Sequence, residues 1–204
     1  MAVDGKTSSG ARRADGTRVH LLGAAEHGGQ LLDHLEVDVK HNETSHLTDL
    51  LEPMDLAGAV VTFDALHTVR ANLDWLAGDK KGHYIAVVKR NQPLLHARVK
   101  ALPWRQVPAG SSTRDTGHGR IEARTLKTAH VNGMDFPHAR QAVKITRRRE
   151  DAATGKTTRQ TTPATCTSLK ADATTPLPPK PFTSTASIRT VNDLAICTSG
   201  GSII

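Results

Sequence analysis

Asp4 and Asp64 are the residues whose type and setting point most directly to chemistry. Asp64 closes the apolar run Ala59-Val60-Val61-Thr62-Phe63, the composition of a buried strand. A carboxylate there faces outward at the carboxyl edge of the sheet, the edge at which α/β sheets bind ligands. Asp4 is expected to end a short first strand, just ahead of Gly5. If the two strands are neighbours, the carboxylates converge. Paired oxygen donors on rigid strands suit Mg2+ or Mn2+, which keep open positions for phosphate. Two such ions about 3.5–4 Å apart can activate a water or a hydroxyl and stabilise the leaving oxygen of a phosphoryl displacement. Both residues also fit structural uses, Asp64 as the N-cap of a helix from Ala65 and Asp4 as the turn residue of an Asp-Gly step.

Other candidate motifs fail on spacing. Gly155-Lys156-Thr157 resembles the end of a phosphate-cradling loop, but the glycine required five positions earlier is Glu150. The eleven histidines contain no His-Glu-x-x-His, and His41 and His46 do not share a helix face. Cys166 and Cys197 lie far from any Cys-x-x-Cys spacing, so neither a zinc site nor a disulfide scaffold is indicated. The N-terminus has no apolar signal segment and no run approaches the ~20 residues of a membrane span, so a cytoplasmic protein without a membrane partner is expected. A formal charge of +7 suits a polyanionic partner, because clustered Lys and Arg release counterions from polyphosphate.

The elements that must carry these residues read as α/β. Strands are expected at Ala2-Val3, Val19 to Ala25 and Gln30 to Val39, joined by Gly-containing turns. Leu47, Leu50, Leu51 and Met54 share one helical face, with Asn42 as a possible N-cap. After Asp64 a helix with Leu66, Val69, Leu73 and Leu76 on one face is expected, then a buried strand from Tyr84 to Val88. Pro93 opens a helix over Leu94 to Leu102. From Ser111 to Ile145 short alternating segments and polar turns suit an antiparallel β insertion. Beyond Glu150 come a dozen threonines before residue 191 and five prolines after Thr162, with no amphipathic period, which reads as irregular.

Six segments then carry a family resemblance. VDGK (3–6), KHNET (40–44), VVTFDALHT (60–68), YIAVVKRNQPLL (84–95), GHGRIEARTL (117–126) and DFPHARQ (135–141) occur in this order. Together they resemble bacterial insertion-sequence transposases with a DDE catalytic core, over about residues 1 to 170. The resemblance implies a ribonuclease H-like mixed sheet flanked by helices, with two-metal cleavage and strand transfer on double-stranded DNA, at transposon ends and target. It implies Asp4 and Asp64 as the first two catalytic, metal-binding acids, and homo-oligomers of the intact protein. Lys89, Asn91 and Gln92 match a Val-Lys-x-Asn-Gln element expected near the active site. Lys89 could contact phosphate or end a strand in water, and Asn91-Gln92-Pro93 could cap the next helix. Arg120 and Arg124, in a His-Gly-Arg-x-Glu-x-Arg element, could contact the DNA backbone, or pair with Glu122.

The resemblance also departs in two places. The family carries a region ahead of the VDGK strand, and its third acid lies in a His-Trp-x-Ile-Glu-Asn-like helix that these 204 residues lack. The expected organisation is a partial catalytic core over 1–150, with its β insertion at about 103–150, and an irregular tail over 151–204. Such a chain would be a defective transposase. The competing expectation is a non-catalytic DNA-binding or regulatory remnant, using Lys89, Arg90, Arg98, Lys100, Arg105 and Arg147-Arg148-Arg149. Similarity fades at Pro176, and the remainder is expected to be out-of-frame translation or a fusion scar. Translating the other two reading frames past Pro176 should yield a Trp-x-Ile-Glu-Asn-like helix; its absence from both would end the frameshift account.

Overall fold

A computed structural model describes residues 1–27, 29–37, 45–117 and 119–167. Nine strands form one mixed sheet. In chain order they are β1 (Ala2–Arg12), β2 (Arg18–Ala25), β3 (Leu31–Val37), β4 (Val60–Phe63), β5 (His83–Val87), β6 (Ser111–Gly117), β7 (Arg120–His130), β8 (Gln141–Asp151) and β9 (Thr157–Cys166). The helices are α1 (His46–Leu51), α2 (Arg70–Asp74), which continues as a π-helical turn Trp75–Asp79, and α3 (Pro93–Ala101).

Across the sheet the order is β3-β2-β1-β4-β5-β9-β8-β7-β6. The first three strands form an antiparallel meander, while β1–β4 and β4–β5 pair in parallel. This is the ribonuclease H-like arrangement that the resemblance implies. Beyond β5 every pairing is antiparallel, so the β insertion extends the core sheet through β9.

Packing follows the strand alternation. Val3, Leu22, Val61, Phe63, Tyr84 and Ala86 meet the helices, which contribute Leu47, Leu50, Leu51, Leu73, Leu76, Leu95 and Val99 to one buried core. Ile85 and Val87 take the opposite face, in a smaller core with Leu126, Val143, Ile145, Ala164 and Cys166. Buried on both faces, β4 and β5 show continuous rather than alternating apolar sequence. Few aromatics are available, and four of them, Phe63, Tyr84, Trp104 and Phe136, sit in the larger core. The Tyr84 hydroxyl donates to the Pro137 carbonyl at 2.5 Å, and burial pushes its pKa above the usual phenolic value.

Three expectations need correction. Asp4 does not end its strand or occupy a turn. β1 continues to Arg12 because Gly5, Lys6 and Thr7 find ladder partners in Leu22, Leu21 and His20 of β2. The reversal falls at Asp15-Gly16, where Gly16 takes φ 84° and the Asp15 carboxylate accepts from the Thr17 amide at 2.9 Å. Second, no helix starts at Ala65. Residues 64–69 form a turn, α2 begins at Arg70, and Leu66 is 44% exposed.

Third, the stretch after Glu150 is not irregular throughout. β8 runs to Asp151, and Thr157–Cys166 forms β9, paired along its length with β8 and at its end with β5. β9 hides its signal because its outer half, 157–161, is exposed at every residue and its inner half is buried at every residue from Ala164. No alternation survives, although threonine suits a pleated strand. Asn42 and residues 168–204, including the proposed frame change, lie outside the described residues.

Candidate metal centre and its supports

The short parallel ladder between β1 and β4 pairs Ala2 with Thr62 and Val3 with Phe63. The next residue on each strand is Asp4 and Asp64. Neighbouring strands lie about 4.8 Å apart, so the two aspartates leave the ladder side by side, at the carboxyl end of the parallel pair. Val3 is 2% exposed on the helix-covered face, and period-two alternation places Asp4 on the other. Lys6 pairs with Asp4, Nζ to Oδ2 at 3.4 Å, and the Asp4 side chain remains one-third exposed.

Asp64 is held differently. Its Oδ1 accepts the Leu66 amide at 2.8 Å, an Asx turn that fixes the carboxylate and leaves Oδ2 available. Two hard oxygen donors on adjacent strands fit a divalent cation that retains most of its waters, and Asp4 and Asp64 are the residues that would hold it. Among the described residues no group of three or more His, Cys, Asp or Glu is placed to bind a metal.

The turn after Asp64 is bonded to the neighbouring β5–α3 connection. The buried Thr68 hydroxyl donates to the Val87 carbonyl at 2.7 Å and lies 3.1 Å from the Asp64 carbonyl. Asn91 Nδ2 donates to the Ala65 carbonyl at 2.5 Å, and Gln92 Nε2 to the Thr68 carbonyl at 3.0 Å. Asn91 and Gln92 therefore lie close to the Asp64 turn, with their amide donors engaged on backbone. Gln92 also precedes α3, but makes no side-chain cap. Lys89, just after β5, is exposed. Sequence reasoning missed Thr68; its position four residues after Asp64 was the available signal.

The Arg-rich element of β7 is built around a buried carboxylate. Glu122 faces Arg149 across the β7–β8 ladder and Arg124 faces Arg147. Glu122 Oε2 accepts from Arg147 Nη2 at 2.6 Å and Arg149 Nε at 3.0 Å, while Oε1 pairs with Arg124. Burial pushes the Glu122 pKa upward, but hydrogen bonds from Arg147 and Arg149 and the charges of Arg124 and Arg147 outweigh it, leaving it below the usual value. So Arg147 and Arg149 are not simply a solvated strand end; Arg148, on the other face, is exposed and lies 3.7 Å from Glu150. Their i, i+2 spacing opposite Glu122 and Arg124 was the usable signal. Arg120 is exposed at the rim of the groove lined by Asp115, Glu122 and Arg124, and His118 lies outside the described residues.

No family model matches the chain. It is 30% identical over 139 residues to "Putative transposase YncI" of Escherichia coli O157:H7, covering 64% of this chain and 35% of that one. The chain is similar to transposase relatives. An "Uncharacterized protein in dhlA 3'region" of Xanthobacter autotrophicus is 30% identical over 161 residues, covering 74% of this chain and 54% of that protein. The chain thus spans about half or less of these curated relatives. A solved piggyBac transposase synaptic complex with hairpin DNA superposes with a TM-score of 0.46 and 10% identity, over 96% of this chain and 38% of that one. That superposition is too loose to assign residues. Among the described residues no helix is long and apolar enough to cross a membrane.

The charge cluster makes a stability prediction. Glu122→Gln removes the shared counter-charge of three guanidinium groups and should cost about 3–5 kcal/mol. Because the folded pKa of Glu122 lies below its unfolded value, its stabilisation is complete above the ordinary carboxylate range and is lost as pH falls through the folded value. Urea midpoints of the native and variant proteins should therefore differ most near neutrality and converge in acid. A gap that stays constant down to pH 2 would contradict this assignment.

Proposed function

We propose that this chain is the catalytic-core portion of an insertion-sequence DNA transposase of the DDE type. In this reading Asp4 and Asp64 are two of the acids that hold Mg2+ or Mn2+, and double-stranded DNA at transposon ends and target is the substrate. The observation that carries the reading is the β1–β4 register, in which Val3 and Phe63 are partners and an aspartate follows each. The similarity to a named transposase supports it. A bound divalent ion would supply charge neutralisation at a scissile phosphate and a water or hydroxyl of lowered pKa.

The chain's own residues supply position and field. The parallel ladder fixes the carboxylates relative to each other, and the Asx turn fixes Asp64. Lys89, Arg90, Arg98, Lys100, Arg105 and Arg120 are exposed and are the cations proposed to neutralise DNA phosphates. Arg124 is engaged by Glu122, so its contribution to DNA is indirect, through the field of the Arg-rich groove. Asn91 and Gln92 reach DNA, in this reading, only through the turn they hold. Homo-oligomerisation belongs to the intact transposase. Strand transfer also needs the third acid, which the resemblance places in a His-Trp-x-Ile-Glu-Asn-like segment.

Single-turnover nicking of supercoiled plasmid with excess protein and Mn2+ tests the reading. Asp4→Asn and Asp64→Asn should each cost more than the roughly 10–100-fold that loss of an outer partner costs at metal sites. DNA binding should persist in both, weakening with salt by about 0.9 log unit per log unit of salt for each phosphate neutralised. Equal nicking by native and Asp64→Asn proteins would remove Asp64 from the chemistry, and salt-independent binding would remove DNA as the substrate.

A further inference from the structure

We infer that Asn91, Gln92 and Thr68 form a clamp that positions Asp64 for metal binding; the inference rests on the metal role of Asp64 proposed above. Two side chains reach one short turn from outside, and a third, within the turn, ties it to β5. Asn91 Nδ2 binds the Ala65 carbonyl, Gln92 Nε2 binds the Thr68 carbonyl, and the Thr68 hydroxyl binds the Val87 carbonyl on β5. Within the turn the Leu66 amide holds Asp64 Oδ1, and the Thr68 amide donates to the Ala65 carbonyl at 3.3 Å. The clamp thus begins one residue after Asp64 and ends on the neighbouring parallel strand.

The turn needs these bonds. Residues 64–69 are not helical, so carbonyls that would be satisfied inside a helix must find partners elsewhere. A side-chain amide can donate to each one without adding charge beside a carboxylate pair. Glutamine and asparagine are suited to this use, since arginine or lysine at the same points would compete with a metal for Asp64. A carboxylate whose backbone is fixed loses less freedom when it binds a cation, and partners that orient a ligand typically alter metal affinity by 10–100-fold. Fixing the carboxylate direction through its own backbone is a positioning role. It differs from the direct DNA contact that the Val-Lys-x-Asn-Gln element suggests in sequence.

Two readouts separate the clamp from the metal reading. Calorimetric Mn2+ titration of the full chain would compare the native protein with Asp64→Asn, Asn91→Leu, Gln92→Ala and Thr68→Val. Amide hydrogen exchange at Leu66 and Thr68 would be followed in the same proteins without metal. Tyr84→Phe, which loses a remote buried hydrogen bond, serves as a variant of lowered stability. The expected result is loss of Mn2+ binding in Asp64→Asn and at least about tenfold weaker binding in Asn91→Leu. Gln92→Ala and Thr68→Val should weaken Mn2+ binding in the same direction. Faster exchange at Leu66 and Thr68 should accompany the three clamp variants, and Tyr84→Phe should keep native affinity. Native affinity in Asn91→Leu, or unchanged exchange at Leu66, would overturn the clamp while leaving Asp64 as a ligand. Equal Mn2+ affinity in the native and Asp64→Asn proteins would instead overturn the metal role itself, and the clamp's purpose with it.

Discussion

The parallel pairing of β1 with β4 is the constraint on which the rest of the structure depends. It consists of two Cα partners, Ala2 with Thr62 and Val3 with Phe63, and it joins the β1–β2–β3 meander to the strands that continue into the β insertion. A one-residue slip would send Val3 and Phe63 to opposite faces of the sheet, exposing one of two fully apolar side chains. Both are at most 2% exposed, in the core shared with α1, α2 and α3. Hydrophobic burial therefore selects the register, and the register places Asp4 beside Asp64. The aspartates contribute little to fixing their own position.

Around this pairing the chain divides its charges by environment. Arg124, Arg147 and Arg149 converge on Glu122 in a partly buried cluster, where isolated ions would be costly. Lys89, Arg90, Arg98, Lys100, Arg105 and Arg120 remain exposed. The formal +7 is thus an incomplete guide to a polyanion surface, because part of it is spent inside the β insertion. The candidate metal centre has the opposite balance. Among the described residues its two carboxylates meet one lysine within salt-bridge range, Lys6, and neutral amides rather than cations hold the adjoining turn.

What the sequence made legible follows from where the physics is local. β4, β5 and α3 were readable because continuous apolar runs and a proline at the first helical turn need no long-range information. The neighbouring placement of Asp4 and Asp64 followed from their position directly after the apolar residues Val3 and Phe63, once the strands that carry those residues are adjacent. The length of β1 was not readable, since polar Thr7 to Arg12 become strand only through β2. The late start of α2 was hidden as well. Leu66 fits the helical period, yet a turn is stabilised there by Thr68 bonding 19 positions away and by Asn91 and Gln92 bonding from 26 and 24 positions away. β9 was missed because its outer half is exposed at every residue and its inner end buried at every residue, so the alternation that marks a half-buried strand is lost.

Anomalous diffraction from crystals of the full chain soaked with Mn2+ tests the central claim most directly. The account predicts a peak bridging the carboxylates of Asp4 and Asp64, at about 2 Å from an oxygen of each, and displacement of Lys6 from Asp4. A peak bound elsewhere with none between these carboxylates, or an intact Lys6–Asp4 pair with metal bound at Asp64 alone, would contradict it.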